Sequence, residues 1–351
     1  MRAPSVMLQC RFCRRCSSLA AMSETEDADT PIADDVHRAA ERIAGHAVRT
    51  PLVSSPALDE VTGARVLLKC ETLQRTGSFK FRGAYNAIAA LTREAREAGV
   101  VAVSSGNHAQ GVAEAARLFG IRATIVMPSD APAAKRERTI RSGGRIVDYD
   151  RAREDRDAVA ARVVAEHGGA FIHPYNDPNV IAGQGTAGLE IAEDCASHLL
   201  RPGVVVVPCG GGGLSAGVAL AVHDKFPAAA IVLVEPEGFD DYGRSLREDR
   251  ILSNSAASGS ICDALLAPSP GPIGFRINRA NYTHAVTVSD GEALAAVAYA
   301  FRELKLVVEP GGAVALAALL AGKVEAAGRT VIVLLSGGNI DEMVLQRALK
   351  S

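Results

Sequence analysis

The chain has 351 residues, of which 48% are hydrophobic and 22% charged, with 38 Lys+Arg against 40 Asp+Glu. So much apolar chain excludes intrinsic disorder and can bury the cores of two domains at roughly 100–200 residues each. A net charge of −2 and a pI near 6.5 argue against a nucleic-acid partner, and no apolar run nears the ~20 residues of a membrane span.

In chain order, residues 1–21 carry Arg2, Arg11, Arg14 and Arg15 and no acid, whereas Met22 opens an acidic stretch. An organelle transit peptide or a start codon set too far upstream both account for this, and the second is preferred, because the segment is too short to show amphipathic periodicity. Cys10-x-x-Cys13-x-x-Cys16 has iron–sulfur spacing but no visible fourth ligand. The other cysteines, Cys70, Cys195, Cys209 and Cys262, suggest no disulfide framework. A reducing, cytoplasmic location is expected. Strand-like apolar runs then occur at 65–70, 100–103, 123–127, 145–147, 204–207, 231–234 and 331–335. Helical spacing occupies 81–91, 109–119 (closed by Gly120), 157–166, 180–196, 213–223, 292–304 and 313–320. Low aromatic content, 4%, and this alternation predict an α/β protein with parallel sheets covered on both faces.

Most conspicuous polar positions follow the carboxyl ends of these strands, where open α/β sheets bind ligands. Ser104 to His108 follow 100–103, Cys209 to Gly213 follow 204–207, Glu235 follows 231–234, and Ser336 to Asn339 follow 331–335. Gly210, Gly211, Gly212 and Gly213 join a strand to a helix start, so their amides can meet a phosphate. Gly211-x-Gly213-x-x-Ala216, with Glu235 ending the next strand, also fits the looser dinucleotide fingerprint, so an NAD-dependent dehydrogenase is the rival reading. Lys80 stands between Phe79 and Phe81 at a helix start, where apolar neighbours and the helix dipole favour a neutral, nucleophilic amine suited to Schiff-base chemistry.

These motifs, from about Ala33 to the C-terminus, resemble the fold-type II pyridoxal-phosphate (PLP) enzymes, specifically the threonine/serine dehydratase and serine racemase group. Ser78-Phe-Lys80-Phe-Arg-Gly-Ala84 is similar to the cofactor-lysine motif and Ser104-Ser-Gly-Asn-His-Ala-Gln110 to the asparagine loop. Gly210 to Gly213 are similar to the phosphate loop, and Ser336-Gly-Gly-Asn339 to the segment at the pyridine nitrogen. The resemblance implies a fold of the tryptophan synthase β kind with two parallel-sheet domains. It places the extension at 1–32, a large PLP-binding domain at 33–95 and 176–351, and a small mobile domain at 96–175.

By the same resemblance, Lys80 would hold PLP covalently and then remove the substrate's Cα proton. Phe79 would pack on the ring, Asn107 would bond its 3′-oxygen, Gly210 to Leu214 would hold the phosphate, and Ser336 would meet the pyridine nitrogen. The Ser105–His108 loop would take the substrate carboxylate. The implied reaction converts L-threonine to 2-oxobutyrate, or L-serine to pyruvate, with release of ammonia. Glu235, the Phe239 carbonyl and Asp241 are similar to a divalent-cation site, with oxygen donors suited to Mg²⁺, Mn²⁺ or Ca²⁺. Ser105 stands where racemases carry a serine and many threonine dehydratases an alanine, which keeps serine racemisation open. Arg153 stands where hydroxyaspartate-type members carry a site-facing arginine, which keeps 3-hydroxyaspartate open behind threonine. The chain lacks the C-terminal effector domain of biosynthetic threonine dehydratases, so feedback inhibition by isoleucine is not expected. A homodimer is expected by analogy.

Overall fold

Ten strands among the described residues form two sheets. The structure, a computed structural model, describes residues 30–350. The arginines of the first stretch, Cys10, Cys13, Cys16 and Met22 lie outside these residues. The larger sheet has the order β1-β2-β10-β7-β8-β9, with β1 Leu52–Ser54, β2 Arg65–Cys70, β7 Val204–Pro208, β8 Ala230–Pro236, β9 His284–Val288 and β10 Thr330–Leu335. Only the β1–β2 pairing in it is antiparallel. The smaller sheet, β5-β4-β3-β6, is wholly parallel, with β3 Val100–Val103, β4 Ala123–Pro128, β5 Gly144–Tyr149 and β6 Ala170–Phe171. Residues Pro31–Ser351 make one compact unit.

The central strands are continuous β-branched runs because helices cover both faces. Val66, Leu68, Val205, Val206, Ile332 and Val333 expose nothing. Helix starts follow their capping chemistry. Ser289 and Glu292 form a reciprocal capping box, and the Asp177 carboxylate accepts from the Val180 amide at 2.9 Å with Pro178 in the first turn. Gly120 closes the helix Asn107–Phe119 at φ +66°, as expected from its position.

Two helices of the larger sheet approach unusually closely. Helices Pro178–Ser197 and Gly213–Lys225 meet through glycines. A Cβ on Gly185 would stand 2.7 Å from the Gly217 carbonyl oxygen, and one on Gly188 would stand 2.8 Å from the Val218 Cα. No larger residue fits at this seam without moving main chain. No helix among the described residues is long and apolar enough to cross a membrane.

Candidate active site

β2, β10, β7 and β8 lie in that order and, being parallel, end on one edge. After β2 the chain makes two 3₁₀ turns, Glu71–Leu73 and Arg75–Gly77, and enters the helix Lys80–Ala90. Ser78 bridges to Gly337, and the Phe79 amide donates to the Ser336 carbonyl at 3.1 Å. The lysine motif is thereby pinned to the segment after β10, although the two lie more than 250 residues apart in sequence.

The first turn of that helix rests on a buried ion network. Arg82 exposes nothing, and its guanidinium meets both Glu71 oxygens at 2.8 Å and Glu190 at 2.7 and 2.9 Å. Lys69 completes it with a 2.5 Å bond to Glu190. Burial alone would push the Glu71 carboxyl up, yet the charge and hydrogen bonds of Arg82 hold it below the usual carboxylate range. Lys80 itself has no such partner. Its amine donates to the Pro174 carbonyl at 2.8 Å and lies 5.1 Å from the centre of the Phe79 ring. Burial depresses it from 10.5 to about 8, because desolvation penalises the ammonium.

Two histidines stand nearby. His108 is held down to about 3 by burial and then by the Lys80 charge, so its ring is neutral. Nε2 lies 2.9 Å from the Ile172 carbonyl, which can only accept, so Nε2 carries the proton. Nδ1 is then a bare acceptor, buried without a hydrogen-bond partner. This corrects the expected role of His108 toward a substrate carboxylate, since its one N–H is already spent. The ring suits an incoming ammonium or hydroxyl instead. His173 Nδ1 accepts from the amides of Tyr175 and Asn176 at 3.2 and 2.8 Å, and burial lowers it to about 4.

β3 delivers the asparagine loop to the same place. Asn107 opens the helix after β3, and its side chain spans two partners. Nδ2 donates to Glu309 at 2.5 Å, and Oδ1 accepts from Asn339 at 2.7 Å. Asn107, Glu309 and Asn339 thus form one chain of contacts, and Ser105 lies half-buried two residues before Asn107. Glu309 was not legible beforehand; its only signal is an acid immediately before the Pro310-Gly-Gly helix start. Burial raises its carboxyl from 4.5 to about 7, against the opposing bond from Asn107. A carboxyl raised by folding contributes stability that is full below its unfolded value and lost as pH rises through its folded value. Relative to the parent, Glu309→Gln is therefore expected to gain up to ~3 kcal/mol at pH 8.5 and little at pH 4.5, read by denaturant unfolding. An equal difference at both values would count against this burial.

The glycine loop has the makings of an anion cradle. None of the amides from Gly210 to Leu214 donates to a described residue, whereas the Gly211 carbonyl accepts from the Gly271 amide at 3.1 Å and the Gly212 carbonyl from Ala216 at 3.0 Å. Gly212 takes φ +87° at the N-cap of the helix Gly213–Lys225, a conformation that favours glycine. Tyr175 lies across this loop. A Cβ on Gly211 would run into its ring, and one on Gly271 would stand 2.9 Å from it. The ring also meets His173 edge-on at 4.6 Å.

Four expected residues fall differently. Arg153 has an 85% exposed side chain paired with Asp150 at 3.5 Å, so it does not face the site. The charge-dense run from Asp150 to Asp157 pairs partly within itself and partly with Asp130 and Arg162 instead. Arg156, which sequence reasoning passed over, is the arginine whose charge is felt at both His173 and Tyr175. Glu235 spends both carboxylate oxygens on the amides of Tyr242 and Gly243, at 2.8 and 2.7 Å. So placed, and 1% exposed, it cannot reach a ribose, which removes the ground for a dinucleotide. Nor is the expected ion site assembled around Glu235, Phe239 and Asp241. Asp241 Oδ1 accepts from Asn254 at 2.6 Å, Asp241 Oδ2 is buried without a hydrogen-bond partner, and Phe239 is a buried core residue. No cluster of three or more His, Cys, Asp or Glu among the described residues could hold a metal ion.

Comparison with known proteins bears on this geometry. The profile of the family described as pyridoxal-phosphate dependent enzyme matches residues 43–337. The chain is 44% identical to an L-threo-3-hydroxyaspartate ammonia-lyase of a Pseudomonas species, over 88% of this chain and 95% of that one. It is 41% identical to an L-threonine ammonia-lyase of Thermotoga maritima, over 90% of this chain and 77% of that one. Among solved structures, maize serine racemase superposes with a TM-score of 0.86 at 37% identity, covering 92% of this chain and 97% of that one. The free amides of the glycine loop, the easily deprotonated amine of Lys80 and the flanking Phe79 ring are the set of groups that a phosphorylated aldehyde cofactor requires.

Proposed function

Because the chain belongs to the fold-type II pyridoxal-phosphate-dependent enzymes, we propose that it is an ammonia-lyase of β-hydroxy-α-amino acids, with L-threo-3-hydroxyaspartate ahead of L-threonine and L-serine. The observation that carries this reading is the place of Lys80, half-buried on the sheet edge that also holds the glycine loop, with its amine on the Pro174 carbonyl and depressed to about 8 by burial. When bound, pyridoxal phosphate supplies the electron sink that makes an amino acid's Cα proton removable.

The chain's own residues do the rest. Gly210 to Leu214 would hold the phosphate through their amides, Phe79 would flank the ring, and Asn107 and Ser336 would offer its polar edge neutral groups. Lys80 takes the Cα proton as a neutral base near working pH. Loss of the β-hydroxyl as water then leaves an unsaturated amine, which hydrolyses to a 2-oxo acid and ammonia. The water released in the first step balances the water consumed in the second. His108 Nδ1, an acceptor with no competing partner, suits the substrate hydroxyl. Ser105 and the loop amides remain the donors for the α-carboxylate.

The order of substrates departs from the expectation that threonine leads. Arg156, rather than Arg153, supplies a partly exposed cation whose charge is felt at His173 and Tyr175, a group suited to a second carboxylate, and the Pseudomonas relative acts on hydroxyaspartate. The test is 2-oxo acid formation from each substrate with the full chain. Arg156→Ala is expected to lower kcat/KM for hydroxyaspartate by ~10–100-fold, the worth of a charged hydrogen bond, while threonine changes little and Arg153→Ala changes neither. A parent that turns over threonine better than hydroxyaspartate, or an equal loss on both substrates in Arg156→Ala, would overturn this order.

A further inference from the structure

Packed against the glycine loop is a buried polar knot that the proposed reaction does not use. Tyr242, Asn278 and Ser215 expose nothing. Asn278 Nδ2, with two N–H bonds to share, has three acceptors within reach: the Tyr242 hydroxyl at 2.8 Å, Ser215 Oγ at 2.9 Å and the Gly212 carbonyl at 3.3 Å. The Gly212 carbonyl also accepts from Ser215 Oγ at 3.1 Å and from the Ala216 amide at 3.0 Å. Tyr242 is anchored in turn by its own amide on Glu235, and a Cβ on Gly212 would run into its ring.

A peptide unit is planar and trans, so its C=O and its N–H point in opposite directions. Three donors that hold the Gly212 carbonyl in the knot therefore turn the Gly213 N–H to the other side of the loop. A glycine at φ +87° has wide conformational freedom and needs such a constraint to keep one orientation. We propose that Asn278, held by Tyr242 and Ser215, is a positioning residue of the phosphate loop, fixing the Gly212 carbonyl and so aiming the Gly213 amide at the cofactor phosphate. The inference rests on the reading that Gly210 to Leu214 receive that phosphate. It assigns a cofactor role to a residue on the helix Pro272–Asn281, which carries none of the recognised motifs.

The experiment compares two probes on the full chain freed of cofactor. Pyridoxal phosphate and pyridoxal, which lacks the phosphate, are titrated separately and followed by the visible-violet band of the lysine adduct. Asn278→Leu is expected to weaken pyridoxal phosphate by ~10-fold while leaving pyridoxal within ~2-fold. Tyr242→Phe, which removes one oxygen and keeps the ring under Gly212, is expected to shift the same comparison by ~2–5-fold and serves if the first variant does not fold. Unchanged affinity for pyridoxal phosphate in both variants would overturn the proposal, as would a parallel loss for both probes, which marks general loosening. A parent chain that binds pyridoxal as well as pyridoxal phosphate would instead sink the reading of the glycine loop itself.

Discussion

Lys80→Ala is expected to abolish both the visible-violet band formed with pyridoxal phosphate and the release of 2-oxo acid, the latter by at least ~10³-fold. The argument starts from solvation. Among the described residues the Lys80 amine has one hydrogen-bond partner, the Pro174 carbonyl, beside an aromatic face and no anion, so burial leaves its ammonium poorly stabilised and its value falls to about 8. At pH 7 roughly one amine in ten is then neutral, against about three in ten thousand for an ordinary lysine, a gain of ~300-fold in nucleophile. Capture of pyridoxal phosphate by the cofactor-free chain should accordingly rise with pH to half its limit near 8, and not near 10.5. Stopped-flow absorbance reads this directly. A band that survives in Lys80→Ala, or a half-rise near 10.5, would place the chemistry on another residue.

The second large effect is on stability. Arg82→Met leaves Glu71, fully buried, and Glu190, mostly buried, without the guanidinium that joins them, with Lys69 as the one remaining cation of the network. Removing one partner of a buried ionic cluster costs ~3–5 kcal/mol, because the remaining charge is desolvated without compensation. Urea unfolding should show a loss of that size, and pyridoxal phosphate capture should slow as well, since Arg82 lies two residues past Lys80 on the same helix. Arg82→Lys is expected to recover only part, because a point charge cannot replace two bidentate contacts. A loss below ~1 kcal/mol in Arg82→Met would mean that water reaches the cluster.

Long apolar strands were legible because burial on both faces leaves no room for polar residues. The runs at 65–70, 204–207 and 331–335 became β2, β7 and β10 with shifts of at most one residue. β9 was missed because it is a half-exposed edge strand containing His284 and Thr287, with only Val288 fully buried. β1 and β6, three and two residues long, are too short for periodicity to register. The helix Asp241–Glu248, whose first residue ends the expected ion loop Glu235–Asp241, was not expected; its charge hid the pattern. The site divides along the same line. Lys80, the asparagine loop and the glycine loop announce themselves by local motifs. Arg156, Glu309 and Asn278 are single polar residues whose meaning comes only from what the fold sets beside them.

The glycine seam between the helices Pro178–Ser197 and Gly213–Lys225 has a consequence for how such a protein can change. Where main chain touches main chain, the spacing is set by atomic radii, with no rotamer to adjust and little side-chain entropy to recover. The helix that starts at the glycine loop is therefore located by a contact that almost no substitution can tune. Arg156 and Tyr175, by contrast, lie outside that seam and are partly exposed. Drift in what the chain accepts can run through Arg156 while the anchor for the anion stays put, so new specificities are reachable by single substitutions without refitting the frame.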